Sequence, residues 1–162
     1  MLNFRSILFC LIFFSLSSCG FRPVYKVSNN KTYDFLKKIE LAPINTIEGA
    51  EFYNQLKNII PPASKAQYIL ETTLLYSNGF SIIESNSDVL REMITLNVKY
   101  KIKDKFNDKI IMSGKFTRLS SYNTNSSLYA NSERNQQALI DLAITAAEEV
   151  RNRIILYIEN NN

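Results

Sequence analysis

The sequence predicts an α+β fold: a two-layer sandwich with a mostly antiparallel four-stranded sheet and two helices packed on one face. Three observations lead there. From Met93 to Lys103, apolar Ile94, Leu96, Val98, Tyr100 and Ile102 alternate with polar Thr95, Asn97, Lys99, Lys101 and Lys103, the period-two pattern of a strand with one buried face. Glu48 to Ile60 and Leu128 to Ile158 instead repeat their apolar positions at helical spacing. The element order, strand, helix, three strands joined by hairpin-compatible loops, helix, makes the long strands antiparallel neighbours whose apolar face the helices cover.

Ahead of these elements the chain carries an export signal. Arg5 lies in a short polar start, Ile7 to Leu16 is apolar, and Leu16-Ser17-Ser18-Cys19 has small residues before a cysteine. That tetrapeptide looks like a lipobox, in which the cysteine is acylated and becomes the new N-terminus. The apolar run is ten residues long, against roughly 20 for a spanning helix, so a membrane-spanning anchor is disfavoured. The expected organisation is 1–18 signal peptide, 19–33 lipidated N-terminus and tether, and 34–159 the α+β domain. Several acyl chains on Cys19 would give lasting membrane attachment.

Composition narrows the chemistry. Of 162 residues, 19 are Lys or Arg and 15 Asp or Glu, a formal charge of +4. Loss of Arg5 with the signal leaves +3, too little to indicate nucleic-acid binding. There is no histidine, and of two cysteines Cys10 lies in the signal and Cys19 at the acylation site. The usual general base, nucleophilic thiol and zinc ligands are therefore missing. No catalytic residue, metal site or cofactor is expected, and no paired acids sit where a raised pKa would make a carboxylate enzyme.

Taken in order, Val24 to Tyr33 is polar and aperiodic and reads as the tether. Lys38 to Ile44 is a short first strand, placed at a sheet edge because Pro43 cannot donate to a ladder. Phe52, Tyr53, Leu56, Ile59 and Ile60 form a helical face that Pro61-Pro62 ends, with Thr46 as N-cap and Glu48 near the positive dipole end. Ala66 to Ser77 is a long half-buried strand. Asn78-Gly79 signals a turn, but the polar stretch through Asp88 reads as a longer loop.

After the Met93 strand, Asp104 to Asp108 is a hairpin loop leading to a strand over Lys109 to Leu119. Gly114 is expected to mark a bulge, and Arg118 breaks the apolar parity. Ser120 to Ser127 reads as loop. In the last helix Leu139, Leu142, Ala143, Ala146, Val150, Ile154 and Tyr157 make one stripe, with Asp141, Glu148 and Asn152 opposite. Tyr68, Tyr76 and Tyr100 fall on the apolar parity of their strands and are expected in the core.

The other sheet face then carries Lys99, Lys101, Lys103 and Lys115. Clustered ammonium groups attract phosphates and carboxylates, while lysines on an open sheet face also serve solubility and discourage edge pairing. Arg91 and Lys105, further candidate cations, lie at opposite ends of the Met93 strand.

Cys19-Gly20-Phe21-Arg22-Pro23-Val24-Tyr25, together with Ser121-Tyr122-Asn123 and Leu128-Tyr129-Ala130 at the start of the last helix, resembles the alphaproteobacterial form of the LptE family of lipopolysaccharide-assembly lipoproteins. The acidic and alanine-rich opening usual for that helix is replaced here by Asn131-Ser132-Glu133-Arg134-Asn135-Gln136. The resemblance implies a non-enzymatic, outer-membrane, lipid-anchored protein. It would plug the LptD β-barrel and help insert lipopolysaccharide into the outer leaflet. On that reading the six cations are candidate lipopolysaccharide contacts, and Phe21, Arg22 and Pro23 lie against the barrel wall. A lipoprotein serving an ABC or MCE-type lipid-transport system is the alternative, separable by whether a large barrel co-purifies.

Overall fold

The computed structural model describes residues 30–44, 46, 49–79, 82–83 and 90–161. Cys19, Phe21, Arg22 and Pro23 lie outside the described residues, as does Glu48. In chain order the elements are α1 (Asn30–Leu36), β1 (Ile39–Leu41), α2 (Gly49–Ile59), β2 (Tyr68–Asn78), β3 (Ile82–Ile83), β4 (Leu90–Asp104), β5 (Ile110–Thr124) and α3 (Leu128–Asn160).

The sheet is mixed. β1 runs parallel to β2, with Ile39 opposite Tyr68, because α2 carries the chain back across one sheet face between them; parallel neighbours require such a crossover. β2, β4 and β5 are antiparallel in the order β1-β2-β4-β5. β3 continues the line of β2 along the same side of β4. Asn78 faces Ile94 while Ile82 faces Arg91, so the β2–β3 side spends one more residue than β4. Within the segment read as a loop, Ile82 and Ile83 therefore form a short strand on β4, and the Gly79 N–H, just past β2, donates to the Met93 carbonyl at 2.6 Å.

Three expectations about local structure are corrected. Residues 30–33, read as tether, belong to α1, whose Thr32 and Leu36 are buried. The last strand does not stop at Leu119. It runs to Thr124, because Leu90, Arg91 and Glu92 extend β4 far enough to pair with Thr124, Asn123 and Tyr122. The bulge in β5 is at Ile111, not Gly114: Ile102 faces Met112 whereas Lys103 faces Ile110. One extra residue reverses parity, which turns Ile110 onto the lysine face, 55 % exposed. Gly114 has a different task. It lies opposite Tyr100, and a Cβ there would come within 2.3 Å of the tyrosine oxygen.

The core lies between the sheet and the α2–α3 layer. Leu70, Ile94, Leu96, Val98 and Ile102 come from the sheet, Phe52 and Leu56 from α2, and Leu142, Val150 and Ile154 from α3. Ala143, Ala146 and Ala147 are fully buried, small side chains that let α3 approach its neighbours closely. Tyr100 is buried, and Tyr68 and Tyr76 pack half-buried against the core. At 33 residues, α3 is about 50 Å long; the 15-residue β4 and β5 reach roughly the same length. The helix starts beside the end of β5 and returns to its beginning, where the Tyr157 hydroxyl donates to the Ile111 carbonyl at 2.9 Å.

Candidate binding face

Odd-numbered residues of β2, β4 and β5 project from the side of the sheet that no helix covers, and the register arranges them in rows. Glu71, Lys101 and Ser113 form one row, Thr73, Lys99 and Lys115 the next. Leu75, Asn97 and Thr117 follow, then Ser77, Thr95 and Leu119. The face is therefore divided along its length: cationic toward the β4–β5 turn, uncharged over the two rows of Leu75 and Leu119, both more than half exposed, and ending at Arg91. The cationic rows line an open depression of about 530 Å³ that includes Glu71, Lys99, Lys101 and Lys115.

The four lysines are not equivalent. Lys101 and Lys103 reach the Glu71 carboxylate at 2.9 and 2.7 Å. Hydrogen bonds from Lys103 and then Lys101 hold the Glu71 carboxyl below the usual carboxylate range, and Glu71 in turn raises Lys103. Among the described residues Lys99 and Lys115 have no carboxylate partner. They stand directly opposite one another on adjacent strands, an arrangement of like charges that is unfavourable unless an anion bridges it. The uncompensated charge of the face is concentrated on that pair.

Arg91 and Lys105 are separated as expected, at the two ends of β4. Lys105 is paired with Glu40 of β1. Arg91 donates through Nε to the Asn123 side chain at 3.2 Å, while Arg134 at the start of α3 donates to the Asn123 carbonyl at the same distance. Sequence reasoning missed Arg134 and Glu71. Glu71 was legible in principle, since it shares the outward parity of Thr73 and Leu75; its partner strand was not.

On the helix-covered face the inner surface becomes polar toward the same far end. Arg118 reaches Glu149 of α3 at 2.8 Å, and Glu149 also accepts from Arg153 at 2.7 Å. The hydrogen bond from Arg153, with Arg118 nearby, keeps the Glu149 carboxyl low despite burial. Tyr122 donates to Glu92 and accepts from Asn135 at 2.9 Å; burial first, then Glu92, pushes its phenol up. Among the described residues no cluster of metal-ligating side chains occurs, and no helix is long and apolar enough to cross a membrane.

This combination, a two-layer sandwich with one bare and partly cationic sheet face, defines a domain built to present a surface. The LptE lipopolysaccharide-assembly model matches residues 36–154, which is most of the sandwich, and the chain belongs to that family. An uncharacterized protein of Rickettsia prowazekii (strain Madrid E) is 43 % identical over 154 residues, covering 95 % of both chains. Among solved structures, a lipoprotein candidate from Caulobacter crescentus CB15 aligns with a TM-score of 0.64 over 81 % of this chain and 97 % of its own, at 16 % identity. A minor lipoprotein from Acinetobacter baumannii aligns at 0.54 over 74 % and 89 %, at 19 % identity. At such identities these two establish the shared fold and nothing finer.

Proposed function

We propose that the chain is a non-catalytic outer-membrane lipoprotein, acylated at Cys19 after removal of residues 1–18, that works in lipopolysaccharide assembly as the partner and plug of an LptD-like β-barrel. Residues 19–29 place the domain at the membrane, with Phe21, Arg22 and Pro23 against the barrel wall, and the working domain starts with α1 at Asn30. Family membership supports the assembly role. The observation that supports the glycolipid contact is the Lys99–Lys115 pair, two cations held face to face without a carboxylate on a sheet face whose next two rows are uncharged and leucine-bearing. An anionic sugar phosphate would relieve the repulsion, with acyl or sugar carbons lying toward Leu75 and Leu119. Lys101 and Lys103, already engaged by Glu71, contribute less; Arg91 and Lys105 extend the field to the two ends of the domain.

The test compares two double variants. Lys99→Gln with Lys115→Gln should weaken lipopolysaccharide binding, and more so at low than at high ionic strength, since screening suppresses exposed charge attraction. Lys101→Gln with Lys103→Gln should cost less. Pull-down of the tagged chain from outer membranes should recover an LptD-like barrel in both cases. Equal losses from the two pairs would remove the preferred contact, and failure to recover a barrel would overturn the partner assignment in favour of another lipid-transport system.

A further inference from the structure

β5 is the last strand of the sheet, and its outer side is bare among the described residues. Which backbone groups point there follows from the register. The Met93 carbonyl accepts from Gly79 and the Lys105 N–H donates to Gln67, so odd-numbered residues along β4 turn their backbone groups toward β2. Even-numbered ones face β5, and the pairing then leaves the odd-numbered residues of β5 pointing away from the sheet. Both ends of that outward row are closed by side chains: Tyr157 on the Ile111 carbonyl and Arg134 on the Asn123 carbonyl. Between them, Ser113 to Ser121 presents free N–H and C=O groups at every second residue.

Natural sheets blunt such an edge with proline, a bulge, a short strand, an inward-pointing charge or an edge lysine. Ser113 to Ser121 contains no proline and no bulge. Arg118 does point to the helix-covered side, but Glu149 ties it down onto α3. Lys115 is the one outward charge in the window and lies off its centre; the edge is otherwise long, regular and open.

We infer that this edge pairs antiparallel with the same edge of a second copy of the chain, about a two-fold axis at Thr117, joining two sheets into one. The free window is symmetric about that residue, and the register it dictates is compatible in charge. Thr117 meets Thr117, Lys115 meets Leu119, Ser113 meets Ser121, and on the inner face Arg118 meets Phe116. No two cations are opposed. Registers shifted by one step to either side place Arg118 opposite Arg118 or Lys115 opposite Thr117 with the ends overhanging, and centring on Lys115 would oppose the two lysines. The inference does not rest on the glycolipid reading. A domain enclosed in a barrel has no room for the second copy, so the paired form is the state of the chain not held by a barrel.

A cysteine at the axis tests this. In an antiparallel hydrogen-bonded pair the two Cα atoms are about 5.5 Å apart, within the roughly 4.4–6.8 Å a disulfide spans. The purified full-length chain with Thr117→Cys, oxidised in detergent in the absence of any barrel, should run at twice the monomer mass on a non-reducing gel. Ser113→Cys is equally exposed and on the same edge, yet lies eight residues out of register with its own mate, roughly 26 Å along the strand; it and the parent chain should stay monomeric. Sedimentation equilibrium of the purified parent chain in detergent should give the dimer mass. Absence of the covalent dimer at Thr117→Cys, equal crosslinking at both positions, or a monomer mass at all concentrations would each overturn the proposal.

Discussion

Glu149 shows how a single side chain can join the layers at the polar end of the interior. It sits on α3 between Arg153, one turn along the same helix, and Arg118, which β5 sends across from the parity of Leu96. Both bonds favour the ionised form, so the folded-state pKa lies below that of the unfolded chain. The stability this provides is therefore present above the ordinary carboxylate pKa of about 4.3 and is lost as pH falls through the depressed folded value. Denaturant titrations from neutral pH downward should show Glu149→Gln less stable than the parent by about 0.2–1 kcal/mol, with the two curves converging toward acid. A constant gap at all pH values would mean that the carboxylate charge is not what matters. Arg118 was legible as a break in the apolar parity, but nothing along the chain pointed to position 149. Gly114 was singled out correctly and for the wrong reason, since the close approach of the Tyr100 ring depends on strand pairing that lies 14 residues away in the sequence.

At the scale of elements, sequence periodicity was a good guide where one face meets a core and a poor one where both faces are polar. β4 was plain because every inward residue from Ile94 to Ile102 is apolar and buried. The end of β5 looked like loop because its inward residues Ser120, Tyr122 and Thr124 are themselves polar or amphipathic, and a strand that turns serine and threonine inward leaves no alternation to detect. The bulge at Ile111 hid in a similar way, between two isoleucines that read alike on either parity. The Thr46 cap was readable: its hydroxyl accepts the Gly49 N–H at 3.1 Å, and only glycine fits at 49, where a Cβ would meet Ile44 at 2.3 Å. The α3 stripe was also readable, though narrower than the real one. Ala138, Ala147, Ile155 and Ile158 are buried as well, because α3 packs on both the sheet and α2. The sharpest check of that helix uses adjacent residues. Leu142→Asp should destabilise by at least about 3 kcal/mol, since losing a buried leucine alone costs roughly 2–5 kcal/mol and the carboxylate adds its desolvation. Asp141→Ala, on an exposed neighbour whose carboxylate accepts from Gln137, should stay within about 0.5 kcal/mol. Similar melting temperatures for the two variants would show that the helix packs on another face.

For the whole molecule, the decisive element is the long helix α3. The mixed sheet follows from the order of its parts: β1, α2 and β2 form a parallel crossover unit, while β2, β4 and β5 form an antiparallel run, and α3 is what lies against both. Its second half reaches both units through α2 and β5. Arg151 donates to the Ile59 carbonyl at the end of α2 at 3.1 Å, Arg153 lies over the Phe116 ring of β5 at 4.8 Å, and Tyr157 holds the bulge. Val150, Ile154, Ile155 and Ile158 are buried there, each contributing roughly 1.5–3 kcal/mol in a domain whose total stability is of the order of 5–15 kcal/mol. A chain ending at Glu149 loses all four, about 6–12 kcal/mol, a loss of the same size as the margin itself. Such a truncation should therefore abolish the cooperative thermal transition followed by circular dichroism, with the β1–α2–β2 half failing together with the β4–β5 hairpin. Removal of Asn160 to Asn162 alone should leave the transition in place, because the two of these that are described are exposed. Survival of a cooperative melt in the chain ending at Glu149 would mean that the sheet and α2 hold together without the end of α3, and that the helix decorates the sandwich instead of closing it.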